Sequence, residues 1–263
     1  AMAQDASGNI IDPFGGQQDI EHQCLRHVSS AFSEDPVRAL RIARFSAKLP
    51  TFTIADETWA LLKEMRDAGE FKALMPARIW QELTTALTEL EPQKFFDVLF
   101  ELDVLETITH IWTSTPNCSG MDVLPSEAKM DRFLWGCIDQ DVKRLQTGFE
   151  RLVVPQAWRT PALWMAEGMW KQVDGSADRF VECCTQMDAW RRPDRFQNWL
   201  NVCQAHPVIG IEFSEIFKAW LTVFLAAQIV DVAALQAEGY TGAALGQAIL
   251  VRRLALASQA LHS

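Results

Sequence analysis

Arg38, Arg41 and Arg44 recur every third residue in the stretch Glu34-Asp35-Pro36-Val37-Arg38-Ala39-Leu40-Arg41-Ile42-Ala43-Arg44-Phe45. Residues three apart on a helix are surface neighbours. The three guanidinium groups therefore form one stripe, and Val37, Ala39, Leu40, Ile42, Ala43 and Phe45 fill the rest of the circumference. No acid follows Asp35 until Asp56, so the row has no local counter-charge. Like charges on a mostly buried helix need an anion brought to them. Either a phosphate-bearing ligand or carboxylates from elsewhere in the chain would serve.

Asp35 and Arg38 lie one turn apart at the helix start and can hold an acceptor beside a planar donor fork. That pair complements the Watson–Crick edge of cytosine or adenine. The carboxylate accepts from the exocyclic amino group, while the guanidinium donates to cytosine N3 and O2 or to adenine N1. Uracil and guanine present a carbonyl to the carboxylate and an N–H to the guanidinium, a mismatch of the kind by which polar sites discriminate strongly. The plainer alternative is that Asp35 caps the helix and Arg38 is its partner at i,i+3.

The elements that must position these groups are mostly helical. Pro36 suits a first helical position, with Asp35 before it as N-cap. Further helices are predicted at about 56–68, 76–90, 92–108, 127–153, 161–172, 177–190, 194–204 and 214–237, and from near Gly242 to the C-terminus. Breaks are expected at Pro155, Pro161, Gly175, Pro193 and Pro207. Strand signals are confined to the front, where Asn9–Asp12, the Pro13-Phe14-Gly15-Gly16 turn and Leu25–Val28 suggest a small hairpin-like piece. The Thr113–Gly120 loop is the best candidate boundary. The expected fold is mainly α, a helical array behind a short β remnant.

Composition narrows the function. The chain has 263 residues, enough for two or more modules with their own cores. Its net charge of -10 argues against a broad basic surface that binds nucleic acid indiscriminately, so DNA is not an expected partner and any RNA contact must come from local arginine clusters. Arg191, Arg192 and Arg195, and Arg252 with Arg253, are two such clusters; solvated helix termini are the alternative for each. Six cysteines without paired spacing support neither a disulfide framework nor a zinc site, and suggest reduced thiols in the cytoplasm. The most apolar run, Ala219–Leu235, is too short to span a bilayer. Gly242 to Gly246 can place bare N–H groups at a helix start, or simply allow close packing.

The run EDPVRALRIARF resembles the nucleotide-recognition motif of the class II tRNA nucleotidyltransferases, the CCA-adding enzymes, and their relatives the bacterial poly(A) polymerases. Upstream, Asp12-Pro13-Phe14-Gly15-Gly16 with Asp19-Ile20 is similar to the family's joint between catalytic head and helical neck, and Leu25-Arg26-His27-Val28 with Phe32 fits its continuation. Gln18 stands where the family usually has a further glycine of that joint. Ala1-Met2-Ala3 looks like the tail of a head motif, which suggests a chain truncated at its N-terminus. Ile54-Ala55-Asp56-Glu57-Thr58 and Pro76-Ala77-Arg78-Ile79-Trp80-Gln81-Glu82-Leu83 resemble later neck motifs. Asp188–Pro193 and Gly239–Gly242 through Arg252-Arg253 are similar to the tails of CCA-adding members and favour CCA addition over polyadenylation.

The resemblance implies a head remnant and joint at 1–28, a nucleotide-recognition neck at 29–110, and a tRNA-binding body and tail at 111–263. It implies that Asp35 and Arg38 read CTP or ATP, while Arg41 and Arg44 support the site or meet the triphosphate. It also implies Mg²⁺, held by paired carboxylates of a head domain that this sequence does not show, so the chain alone is expected to be inactive. Asp139-Gln140-Asp141 is the only Asp-x-Asp spacing mimic of that pair and lacks the accompanying glycine loop, so no metal site is expected. The five histidines include no His-Asp dipeptide, so a phosphohydrolase region is expected to be degenerate or absent. A poly(A) polymerase, or a non-catalytic helical RNA-binding module, are the alternatives.

Overall fold

The computed structural model describes residues 2–172 and 174–262. Ala1 of the Ala1-Met2-Ala3 run lies outside the described residues. The chain divides into two compact units, residues 1–136 with 140–155 and residues 137–139 with 156–263.

The first unit opens with two short sheets. The Asp5 carboxylate accepts the Ser7 and Asn9 N–H groups at 2.8 and 2.9 Å and folds the chain back. Strand β1 (Ala3–Gln4) thereby pairs antiparallel with β2 (Ile10–Ile11). Asp12 next accepts the Gly16 and Gln17 N–H groups at 2.8 Å each, and Gly15 takes a left-handed φ of 70°. These contacts start helix α1 (Gly16–Glu21), in which Gln18 is a helical residue. The expected pairing of Asn9–Asp12 with Leu25–Val28 therefore does not form. Strand β3 (Cys24–Leu25) instead pairs in parallel with β4 (Thr53–Ile54), a strand absent from the sequence reading.

Between β3 and β4 runs α2 (Val37–Lys48). Its buried residues are Val37, Ala39, Leu40, Ile42, Ala43, Ser46 and Ala47, so the apolar circumference inferred from sequence is packed except at Phe45, which is 36% exposed. Helices α3 (Asp56–Asp67), α4 (Pro76–Ala86) and α5 (Gln93–Glu101) follow, and α2 packs on α4 and α5. Pro76 lies in the first turn of α4, where a missing N–H costs nothing. The helix expected over 92–108 is interrupted: Asp103 takes a φ of 59°, and a separate α6 (Leu105–Thr109) follows. The helix expected over 127–153 is likewise two, α7 (Lys129–Gly136) and α8 (Val142–Arg151), the second capped by Asp141 accepting the Arg144 N–H at 2.7 Å.

The Thr113–Gly120 loop lies inside the first unit rather than at its edge. The Trp112 indole donates to Gly136 O at 2.8 Å, the Trp135 indole donates to Asn117 O at 3.1 Å, and Cys118 N–H donates to Gln93 Oε1 at 3.0 Å. Arg132, 5% exposed, donates to the carbonyls of Leu87, Leu124 and Pro125 at 2.8, 3.0 and 3.2 Å. Buried polar groups are retained where they are satisfied. Here they fasten the segment after 110 to the helices before it.

The second unit contains α9 (Gln156–Ala166), α10 (Ala177–Gln186), α11 (Pro193–Ala205), α12 (Ile209–Glu212), α13 (Ser214–Gln228), α14 (Val232–Ala237) and α15 (Gly242–Leu261). Pro161 does not break the chain as expected. It sits inside α9, buried with Ala162, Trp164 and Met165, so its packing offsets the lost backbone bond. The helix expected over 214–237 splits because Asp231 caps α14 by accepting the Ala234 N–H at 2.9 Å. Phe180, Phe196, Trp199, Phe217 and Trp220 form an aromatic core, with Phe196 stacked on Phe224 at 4.4 Å. Among the described residues no helix is long and apolar enough to cross a membrane.

Candidate functional site

The Asp35–Arg44 stretch forms its site at the start of α2, against α4. Asp35 precedes the helix in extended conformation and its Oδ1 accepts the Val37 N–H at 3.1 Å, a capping contact. The same carboxylate faces Arg78 of α4, whose Nη1 and Nη2 donate to Oδ1 and Oδ2 at 3.0 and 2.9 Å. This two-pronged geometry is the strong form of an arginine–carboxylate pair. The Arg78 bonds hold the Asp35 carboxyl below its ordinary range, helped by the Val37 N–H and by the charges of Arg78 and Arg38 against the opposing effect of burial. Arg38 does not pair with Asp35; its Nη1 donates to the Ala31 carbonyl in the turn before the helix. The acceptor and the fork thus rest on separate supports, Asp35 on Arg78 of α4 and Arg38 on the 30–34 turn.

The next two arginines of the row meet carboxylates of the same chain. Arg41 Nε donates to Glu82 Oε1 at 3.3 Å, and Arg44 Nε donates to Glu82 Oε2 at 2.8 Å. Arg44 Nη1 also donates to Glu89 Oε1 at 3.2 Å, and its guanidinium lies 4.7 Å from the Phe45 ring centroid. Burial works against the Arg44 cation, but its bonds to Glu82 and Glu89 outweigh that and raise its pKa. Part of the anion that the stripe requires is therefore internal.

Sequence reasoning did not assign Arg78, Glu82 or Glu89 a part in this site. Arg78 and Glu82 stand four apart, one face of α4, and that spacing was the available signal.

The five second-unit arginines singled out in the sequence fall into two groups. Arg191, Arg192 and Arg252 are exposed, whereas Arg195 and Arg253 are half-buried. The Arg253 guanidinium lies 4.3 Å from the centroid of Trp190, so the 190–195 run and the 252–253 pair meet at that ring. Trp190 stacks in turn on Phe224 at 5.6 Å and donates its indole N–H to Thr185 Oγ1 at 3.1 Å. The Nε atoms of Arg195 and Arg253 are buried without a hydrogen-bond partner among the described residues. Burial lowers the pKa of Arg253, against a smaller opposing effect of Cys184.

Among the described residues no group of three or more His, Cys, Asp or Glu could hold a metal ion. Asp139 has a φ of 58°, and Asp141 is occupied as the α8 cap.

This array of short helices resembles solved structures of tRNA-processing enzymes in its fold. A solved structure of a CCA-adding enzyme with CTP superposes with a TM-score of 0.62 at 19% identity, over 97% of this chain and 65% of that one. The Thermotoga maritima CCA-adding enzyme complexed with tRNA gives 0.60 at 18% identity, over 99% and 69%. Residues 51–112 match the family model described as the probable RNA and SrmB-binding site of polymerase A. The Multifunctional CCA protein of Leptothrix cholodnii is 36% identical over 97% of this chain and 72% of its own length. A CCA-adding enzyme of Pseudomonas putida is 34% identical over the same shares. The chain belongs to the family of CCA-adding tRNA nucleotidyltransferases.

Proposed function

We propose that this chain selects CTP and ATP for addition of the 3′-terminal CCA of tRNA in the cytoplasm, with protein side chains rather than a nucleic-acid template reading the base. The observation that carries this reading is the Asp35–Arg38 pair at the start of α2, with the carboxylate pinned by both terminal nitrogens of Arg78. Oδ1 accepts from both the Val37 N–H and Arg78, but Oδ2 accepts from Arg78 alone and keeps a second lone pair, so Asp35 can accept from an exocyclic amino group there while it stays bound to Arg78. The Arg78 pairing keeps Asp35 ionised and acceptor-only, which is what rejects the carbonyl of uracil or guanine. Arg38 supplies the donor half of the edge, and Arg41 and Arg44 support the site toward the triphosphate.

On this reading residues 1–28 are head remnant and joint, 29–110 the neck, and 111–263 the body and tail. These functional segments differ from the compact units, because residues 111–136 fasten to the neck helices. In the second unit, the arginines that meet at Trp190 would contact tRNA phosphates. Joining the nucleotide is assigned by resemblance to Mg²⁺ on head carboxylates. Asp139-Gln140-Asp141 does not fit that task, because Asp141 is taken up as a helix cap. The residues described here are proposed to choose the nucleotide.

The experiment is the affinity of the chain for CTP, ATP, UTP and GTP by calorimetry, with Asp35→Ala and Arg38→Ala. The expected result is preference for CTP and ATP in the parent and loss of that preference in both variants. Unchanged preference in the variants would sink the reading. The internal pairing of Arg41 and Arg44 with Glu82 favours, as a second reading, a non-catalytic RNA-binding module. That reading expects no nucleotide preference in the parent either. A polymerase that uses ATP alone would show no affinity for CTP.

A further inference from the structure

The arginine row on α2 is not uniform. Arg44 is committed to Glu82 and Glu89 and is 16% exposed. Among the described residues Arg41 makes one polar contact, Nε to Glu82 Oε1, and is 52% exposed. Its Nη1 and Nη2 therefore have no protein acceptor among the described residues. An arginine held through Nε keeps the outer, two-nitrogen edge of its guanidinium for an external anion. Glu82 is 8% exposed and divides its two oxygens between the neighbouring cations. Arg41 and Arg44 lie one turn apart, and without that shared carboxylate their charges would repel and their side chains separate.

We propose that Glu82 is a positioning residue for nucleotide binding: from α4 it anchors Arg41 by Nε, so that the free edge of that guanidinium meets the β- and γ-phosphates of the incoming nucleotide, with Arg44 as the brace that keeps Glu82 in place. This rests on the nucleotide-site reading above and adds Glu82 to it. The base and the polyphosphate are thereby read by two separately braced arginines. Arg38 is held by the 30–34 turn beside the Arg78-pinned Asp35, and Arg41 is held by Glu82.

The test compares the affinity of the whole chain for CTP, ATP and CMP in the parent, Glu82→Gln and Glu82→Asp. Glu82→Gln retains the shape but loses the charge and turns an amide N–H₂ toward one arginine. The expected result is that Glu82→Gln weakens CTP and ATP alike, by about tenfold for one lost charge-assisted contact. CMP affinity is expected to change little, so the CTP-to-CMP ratio falls, and Glu82→Asp recovers most of it. The inference is overturned if the CTP-to-CMP ratio stays at the parental value in Glu82→Gln while the thermal midpoint drops, since Glu82 would then only hold helices together. It is overturned equally if CTP and CMP weaken in proportion. Preference of the parent for CTP over UTP, and its dependence on Asp35, is read in the same titrations. Loss of the base-reading hypothesis is thereby seen separately from loss of the Glu82 role.

Discussion

Replacing Arg253 with methionine separates a structural strut from a contact awaiting an anion. The guanidinium stacks on Trp190 at 4.3 Å, an interaction of about 0.5–2 kcal/mol depending on desolvation. Against it stands a buried Nε–H without an acceptor among the described residues, a penalty of about 1–3 kcal/mol. Methionine keeps an unbranched apolar stem and a favourable sulfur–aromatic contact on the same ring while removing the orphaned donor. The two terms oppose each other, so the folded second unit is expected to lose no more than about 1 kcal/mol and to gain at most about 2.5 kcal/mol, a midpoint loss of a few degrees at most. RNA binding should respond differently. If Arg253 meets one phosphate, the slope of log affinity against log salt should become shallower by about 0.9. Thermal unfolding and tRNA titrations at several salt concentrations supply the two readings. A midpoint loss above about 10 °C with an unchanged salt slope would refute the reasoning, because a net strut would then be shown where a near balance is calculated.

Two further outcomes follow from the packing. Arg132→Met leaves the Leu87, Leu124 and Pro125 carbonyls without their shared donor. It should destabilise the first unit by about 3 kcal/mol, measured by chemical denaturation, because the orphaned carbonyls outweigh the relief of desolvating one cation. Burial pushes the Cys118 thiol up to about 12, and Cys137 higher still. In the native chain at pH 8 a maleimide should therefore label half-buried Cys24 far ahead of those two, as resolved by peptide mass mapping, and Cys118 should react only on unfolding.

How far the site could be read in advance depended on sequence distance. Helix α2 was legible because its apolar residues, the Asp35-Pro36 start and the arginine spacing are all local signals, and the buried face is the one the pattern drew apart from Phe45, which lies exposed. The carboxylates facing the stripe were not legible. Glu82 and Glu89 lie 38 and 45 residues from Arg44, and nothing in the arginine segment specifies them. The small sheets failed for the same reason. Two-residue strands carry almost no alternation, and the partner of Cys24–Leu25 is chosen by the return of the chain after α2, not by a turn. Pro161 shows the converse, a strong local break signal overridden by burial of the ring.

This asymmetry bears on the site itself. A stripe whose acids were adjacent in sequence would form in an isolated helix, and its arginines would be spent before the fold existed. Here the charge balance of α2 is completed only when α4 docks, and α4 brings Arg78 to Asp35 and Glu82 to Arg41 and Arg44 in the same step. Those two contacts are four residues apart on one rigid helix, so the spacing between the Asp35 end and the Arg41 end of the row is set by the pitch of α4 and not by side-chain flexibility. A helix insertion or a proline between Arg78 and Glu82 should accordingly disturb base preference and polyphosphate affinity together, whereas changes at either residue alone should disturb only one.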